Sequence, residues 1–420
     1  MKTRTIRLFA GLAATGFAAM FCHAQGLAGR SITLEGSDHI VANPIISLPY
    51  DGPKADGRFV AVEDKTGKRY PVTVADGAVY FSPDGVMPNA KVLYQIAKDE
   101  GDGGQPKVRI EKKEGAAVDV LIDDQLFTTY HYSNDNKKPF LWPLNAAGGV
   151  PMTRDFPMGP KVDMGPDLKT DDHPHHRSFW SAHGKVNDAD CWMEEGPKGD
   201  RKGSGYQHSG EVTFGSGDVF GWIKAKNEWQ NADHKTVLDE AREYRFYASP
   251  AEYRIFDVTV TFTASHGDVK FGDTKEGGIV SLRIRDDLRE DAKKGGLITL
   301  STGAKTEKEV WGKPAAWCDY SGPIEGVGVR GVTVFDNTAN LRFPTCWHVR
   351  AYGLFAANPF GLAAFTAKDP SPKNGDYTLP SGKSLVFKYR VLVHVDDAEK
   401  AKVADRYKDY ATPPKAVWSK

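Results

Sequence analysis

The chain has 420 residues, with 55 Lys+Arg against 55 Asp+Glu and 40% hydrophobic residues. Such a balance leaves no electrostatic footprint for nucleic acid or an anionic membrane surface. After residue 24 no apolar run is long enough to cross a bilayer, so neither nucleic acid nor a membrane span is expected.

Lys2, Arg4 and Arg7 precede an apolar stretch from Leu8 to Phe21, and Cys22-His23-Ala24 puts small residues at a cleavage position. Residues 1–24 read as a secretory signal peptide removed after Ala24, which predicts a periplasmic or extracellular protein. Cys22 follows Phe21, a poor residue for a lipidation site, and this favours a free protein. The three remaining cysteines, Cys191, Cys318 and Cys346, allow at most one disulfide; a Cys318–Cys346 bridge and three buried thiols are both open.

Residues 25–107 read as a small β domain. Its alternating segments, such as Arg58 to Val62 and Ala78 to Phe81, are separated by turn signals at Asp51-Gly52, Asp56-Gly57 and Asp84-Gly85. A polar, glycine-bearing stretch from Asp99 to Lys107 closes it, and residues 108–420 form the second unit. Strand patterns recur there. Phe256, Val258, Val260, Phe262 and Ala264 share one face, and Leu385 to Val395 alternates as regularly. A period of two over such lengths predicts half-buried antiparallel strands. One helix is expected, Ala398 to Tyr410, capped by Asp396 or Asp397.

The densest chemistry is Asp171-Asp172-His173-Pro174-His175-His176-Arg177, with His183 a little further on. Imidazoles clustered in this way suit proton transfer or metal binding, and a divalent metal, if present, would take His173, His175 and His183. Pro174 biases the residue before it toward extended backbone, so His173 and His175 are expected to point one way and His176 the other. A structural cluster bonded to buried carbonyls and carboxylates is the competing reading.

Phe271 to Gly278 sets Asp273, Lys275 and Glu276 between glycines at a strand edge, where the acids could exchange protons and Lys275 could hold an oxyanion; a solvated turn with a salt bridge is the alternative. Trp311 to Gly322 brings Lys313 and Tyr320, and Pro344 to Gly353 brings His348 and Arg350. The expected acid–base set is His173, His175, His176, His183, Asp273, Glu276 and His348, converging on one pocket. Arg177, Trp180, Lys275, Lys313, Tyr320 and Arg350 are expected to bind substrate. The chain has no phosphate loop, nucleophile elbow or dinucleotide fingerprint.

Together these segments resemble the DUF6807 family. The resemblance rests on Asp-His-Pro-His-His-Arg (172–177), Ala-His-Gly-Lys-Val-Asn (182–187), Phe-Gly-Asp-Thr-Lys-Glu-Gly-Gly (271–278), Trp-Gly-Lys (311–313), Asp-Tyr-Ser-Gly (319–322) and the run from Trp347 to Gly361. Where the family more often has Arg-Gly-Leu-Trp, this chain has Arg177-Ser178-Phe179-Trp180. The resemblance implies a mainly β, galactose-mutarotase-like antiparallel supersandwich beside the small N-terminal β domain and short C-terminal helix. It also implies a place in carbohydrate catabolism. Members often carry the label "methane oxygenase PmoA", which implies a membrane-embedded subunit at odds with this chain. The expectation is an exported enzyme that cleaves a glycoside or 3-keto-glycoside by His/carboxylate chemistry, acting on a small sugar or an oligosaccharide. An aldose-epimerase-like isomerase and a non-catalytic glycan-binding protein are the rivals.

Overall fold

A computed structural model describes residues 26–101, 104–194 and 204–419. The expected signal peptide, residues 1–24, lies outside the described residues. The chain is mainly β, with antiparallel pairing throughout its sheets and few, short helices.

The period-two segments become strands of two large sheets. One runs in the order Trp347–Val349, Leu354–Ala357, Gly277–Arg283, Phe179–His183, Phe140–Ala146, Gln125–His131, Ala117–Ile122 and Val108–Lys113, with Val150–Pro151 added on Phe140–Ala146. The other runs Tyr206–Gly215, Phe220–Gln230, Thr236–Tyr247, Tyr253–Thr263, Ser384–Val395, Gly328–Asp336, Trp317–Ile324 and Leu297–Leu300. Their apolar faces share one core. Phe127 meets Phe246 and Phe256 edge-on at 6.0 and 5.8 Å, and Phe179 meets Phe256 at 5.3 Å. Phe256, Val258, Val260, Phe262 and Ala264 are buried in it, as their alternation predicts. Removing one such ring by truncation to alanine costs about 3–5 kcal/mol.

The N-terminal sheet orders Lys415–Ser419, Ser31–Glu35, Lys91–Lys98, Phe59–Glu63, Arg69–Ala75, Ala78–Phe81 and Ile46–Pro49. Its first strand comes from the far end of the chain, so this unit is completed by residues that follow the second one. The end strands approach each other, and Trp418 Nε1 donates to Pro49 O at 2.8 Å, which brings the sheet close to a barrel.

The expected helix at 398–410 is shorter than its pattern suggests. Asp397 accepts from the backbone of Glu399 and Lys400 at 3.1 and 2.9 Å, as a cap should, but Lys402 takes a left-handed φ of 53°. The regular helix therefore spans Val403–Ala411. Cys191, Cys318 and Cys346 are all buried free thiols. Among the described residues no helix is long and apolar enough to cross a membrane.

Candidate functional site

Register places the site on the large Trp347-to-Val108 sheet, on the face turned away from the shared core. Cross-strand partners run in one row: His348 opposite Ala356, Ala356 opposite Ser281, Ser281 opposite Trp180, Trp180 opposite Phe140, and Phe140 opposite His131. Small residues at Ala356 and Ser281 leave room above the sheet, and the histidine segment lies over this row.

That segment is not extended. His176 N donates to His173 O at 3.0 Å, which closes a turn with Pro174 at its second position. Proline's fixed φ suits that position, and His173 itself takes a φ of 46°. The turn overrides the expected splaying of alternate rings. His173 stacks on His176 at 4.8 Å, and His175 meets His176 edge-on at 4.4 Å. The stack continues to Tyr352 on one side at 5.0 Å and to Trp180 on the other at 5.2 Å. Trp180 is thus a buried platform for His176.

Asp172 organises the column. One oxygen accepts from Arg154 and Arg283, each at 2.7 Å, and the other accepts from His173 Nδ1 at 2.8 Å. Burial alone would raise this carboxyl. The bond from His173 and the cations Arg283 and Arg154 outweigh it and hold the group well below the usual carboxylate range. A carboxylate on Nδ1 fixes the His173 tautomer and leaves Nε2 unbonded among the described residues. Arg283 also donates to His176 Nδ1 at 3.1 Å, so the His176 proton sits on Nε2. Burial pushes His175 down to about 2, helped by Lys138, His173, Arg283 and Arg154. It stays a neutral imidazole.

His173, His175, Met193, Lys275, Glu276, Arg350 and Tyr352 line one open pocket of about 290 Å³. Lys275 faces Glu276 at 3.2 Å, and Arg350 faces Glu307 at 2.8 Å. His348 lies below the rim, buried; burial pushes it down to about 3, with Lys275 and Arg350 adding and a backbone contact with Lys275 opposing.

Other expected site residues stand elsewhere, each for a visible reason. His183 points to the core side of its strand, between Phe271 and Phe360, with Nε2 against Gly272 O at 2.9 Å. A side chain at Gly277, its strand partner, would strike His183 Nδ1 at 2.5 Å, which is why this position needs glycine. The Asp273 carboxylate accepts from the backbone of Ala363, at 2.8 Å, and of Gly375, and it faces a separate pocket with Lys185 and Lys270. Arg177 is spent on Glu194, which Lys138 also holds at 3.2 Å. Tyr320 OH joins Glu290 N at 2.7 Å to Ala351 O at 3.0 Å. Lys313 is exposed outside the pocket. The expected single pocket therefore holds His173, His175, Lys275, Glu276 and Arg350, backed by His176 and Trp180, and not His183, Asp273, Arg177, Tyr320 or Lys313.

The expected site set left out Arg283, Tyr352, Lys138 and Glu194, and it gave no role to Arg154. Arg283 left a trace as the one charged residue on its strand from Gly277. Among the described residues no three His, Cys, Asp or Glu side chains are arranged to hold a metal ion. His183 points to the opposite side of the sheet from His173 and His175, with Nε2 against Gly272 O, so these three do not form the metal set considered above.

The model of a family of unknown function, DUF6807, matches residues 117–408. The chain belongs to the DUF6807 family. No curated protein matches it. In this DUF6807 member the matched segment contains every residue that lines the histidine pocket, and it ends before the strand that completes the N-terminal sheet.

Proposed function

We propose that this protein is an exported carbohydrate-active enzyme that cleaves a glycoside or a 3-keto-glycoside by acid–base catalysis in the histidine pocket. The observation that carries the reading is the 2.8 Å Asp172–His173 bond at the wall of a pocket shared with Glu276. A carboxylate on one imidazole nitrogen leaves the other ready to take a proton, and Glu276 is the opposing group that a sugar bond needs for its leaving oxygen. His175, neutral and buried, offers one donor and one acceptor to ring hydroxyls. Tyr352 supplies an aromatic face against which a pyranose can pack.

We read the two facing sheets as a supersandwich of the galactose-mutarotase kind. That likeness supports sugar chemistry only by analogy of fold, and it keeps an aldose-epimerase-like isomerisation as the runner-up. The same acid–base pair would serve there without water. Small sugars or oligosaccharides are the proposed partners, in the periplasm or outside the cell.

The test is turnover of a glycoside panel, including 3-keto-glycosides, with product analysis. Wild-type protein should release free sugar, and His173→Asn and Glu276→Gln should each lose at least about a hundredfold in rate. Isomerised product without cleavage would favour the epimerase. Binding without turnover of any kind would leave a glycan-binding protein.

A further inference from the structure

His39 lies in the loop between Ser31–Glu35 and Val41–Ala42, and its ring reaches the C-terminal helix, 370 residues away in sequence. Nδ1 stands 2.8 Å from an Asp38 carboxylate oxygen, and Nε2 stands 2.7 Å from one of Asp409. A neutral imidazole has a single N–H and can serve only one of them, whereas an imidazolium serves both. The geometry therefore selects the protonated ring. Asp409 falls in the last turn of Val403–Ala411, where unpaired carbonyls already concentrate negative charge. A carboxylate there is unfavourable by itself, and a cation beside it is favourable. The His39 and Asp409 side chains are 18% and 14% exposed, so their contact is partly shielded, while Asp38 is 94% exposed. The bond to Asp38 and then that to Asp409 raise His39 above the ordinary histidine value, against burial. Burial raises Asp409 against the pull of His39. Of the other charged groups on the helix, Arg406 lowers Asp409 and Asp405 raises it, and Lys408, 3.0 Å from Asp405, acts on Asp38.

The neutral ring also has a partner at hand. Ser37 Oγ lies 3.2 Å from Nδ1 and can donate to it once the proton is gone, leaving Nε2 an uncharged bond to Asp409. The helix leads through residues 412–414 into Lys415–Ser419, the strand that borders Ser31–Glu35. His39 thus pins the point from which that strand starts. We infer that His39 is a proton-operated latch: protonated, it fastens the end of the C-terminal helix and the strand that follows to the N-terminal unit, and deprotonated, it lets them loosen. Because His39 is raised on folding, its contribution is complete below about pH 6.5 and is lost as pH rises through the folded value. Asp409 must be ionised for the latch to hold, and burial makes it take up its proton above the ordinary carboxylate range, so strong acid loosens the latch too. It is tightest in mildly acidic solution.

Two measurements on the full chain test this. In an NMR titration the His39 ring should titrate above the ordinary histidine value, and Asp409→Ala should bring it down toward that value. Hydrogen exchange then reads the strand, with variant and wild type compared at the same pH so that intrinsic rates cancel. Near about pH 6 the amides of Lys415–Ser419 should exchange at least about tenfold faster in His39→Phe than in wild type, the worth of one charge-assisted hydrogen bond. Near about pH 9 the two should agree within about threefold, because the wild-type latch is then uncharged. Asp409→Ala should behave as His39→Phe does. Asp38→Asn should keep the latch and move its loosening to lower pH. A His39 ring that titrates at the ordinary value, a ratio that does not change with pH, or wild-type exchange in both variants would overturn the inference. So would faster exchange in Phe179–His183 as well, since that would mark a general loss of stability in place of a local latch.

Discussion

His173 donates from Nδ1 to Asp172 at 2.8 Å while Asp172 simultaneously holds Arg154 and Arg283, 18 and 111 residues away in sequence. One carboxylate therefore sets the tautomer of the pocket's exposed imidazole and is shared by two guanidiniums whose side chains are 1% and 0% exposed.

Stability should register this directly. Asp172→Ala leaves two buried cations facing each other, and breaking such a pair costs about 3–5 kcal/mol. Urea unfolding should show that loss, whereas Asp171→Ala, which removes only a solvent-exposed partner of Lys161, should change little.

Activity should separate the roles of the histidines. His173→Asn should abolish turnover at an unchanged melting temperature. His183→Asn, on the core side of the sheet, should weaken the fold before it affects the rate. Chelator should leave the rate unchanged, because among the described residues no three His, Cys, Asp or Glu side chains are arranged to hold a metal ion. A chelator-sensitive enzyme restored by zinc would contradict this.

Acid should destabilise the protein early. Burial pushes His175, His183 and His348 down to about 2, 4 and 3, below the unfolded value of about 6.5. The unfolded chain then binds protons that the folded chain refuses, so stability falls as pH drops below about 6.5, by about 1.4 kcal/mol per unit for each histidine. Asp172 adds to the loss only below about pH 4, where its unfolded form begins to protonate. Denaturation midpoints at pH 7, 6 and 5 should show a shallower slope for His183→Phe by about one histidine's share. A flat wild-type profile over that range would sink the argument.

The C-terminal strand should matter to the N-terminal sheet and not to the pocket. A chain ending at Pro414 loses the pairing of Lys415–Ser419 with Ser31–Glu35 and the packing of Ala416 and Trp418. Hydrogen exchange should report opening of Ser31–Glu35 and Lys91–Lys98 easier by about 2–3 kcal/mol, the worth of the lost apolar burial. Protection in Phe179–His183 should be unchanged.

Alternation in the sequence was enough to place the strands, since a period of two sorts side chains to opposite faces wherever one face is buried; the buried row Phe256, Val258, Val260 and Phe262 shows it. Local composition likewise singled out the histidine segment and the loop carrying Lys275 and Glu276, which do share a pocket. What the sequence could not determine was direction and partnership. Whether His173-Pro174-His175-His176 runs extended or turns depends on one backbone hydrogen bond, and the turn reverses which rings meet. Asp273 and Glu276 lie in one short loop, yet the carboxylate of Asp273 is consumed by backbone donors near residues 363 and 375 while Glu276 faces the pocket. Arg177 looks available in a linear reading and is neutralised by Glu194; Arg283 looks out of place on its strand and proves to hold Asp172. Charges pair through space at a few ångströms, and only the folded sheet decides which distant residues come that close.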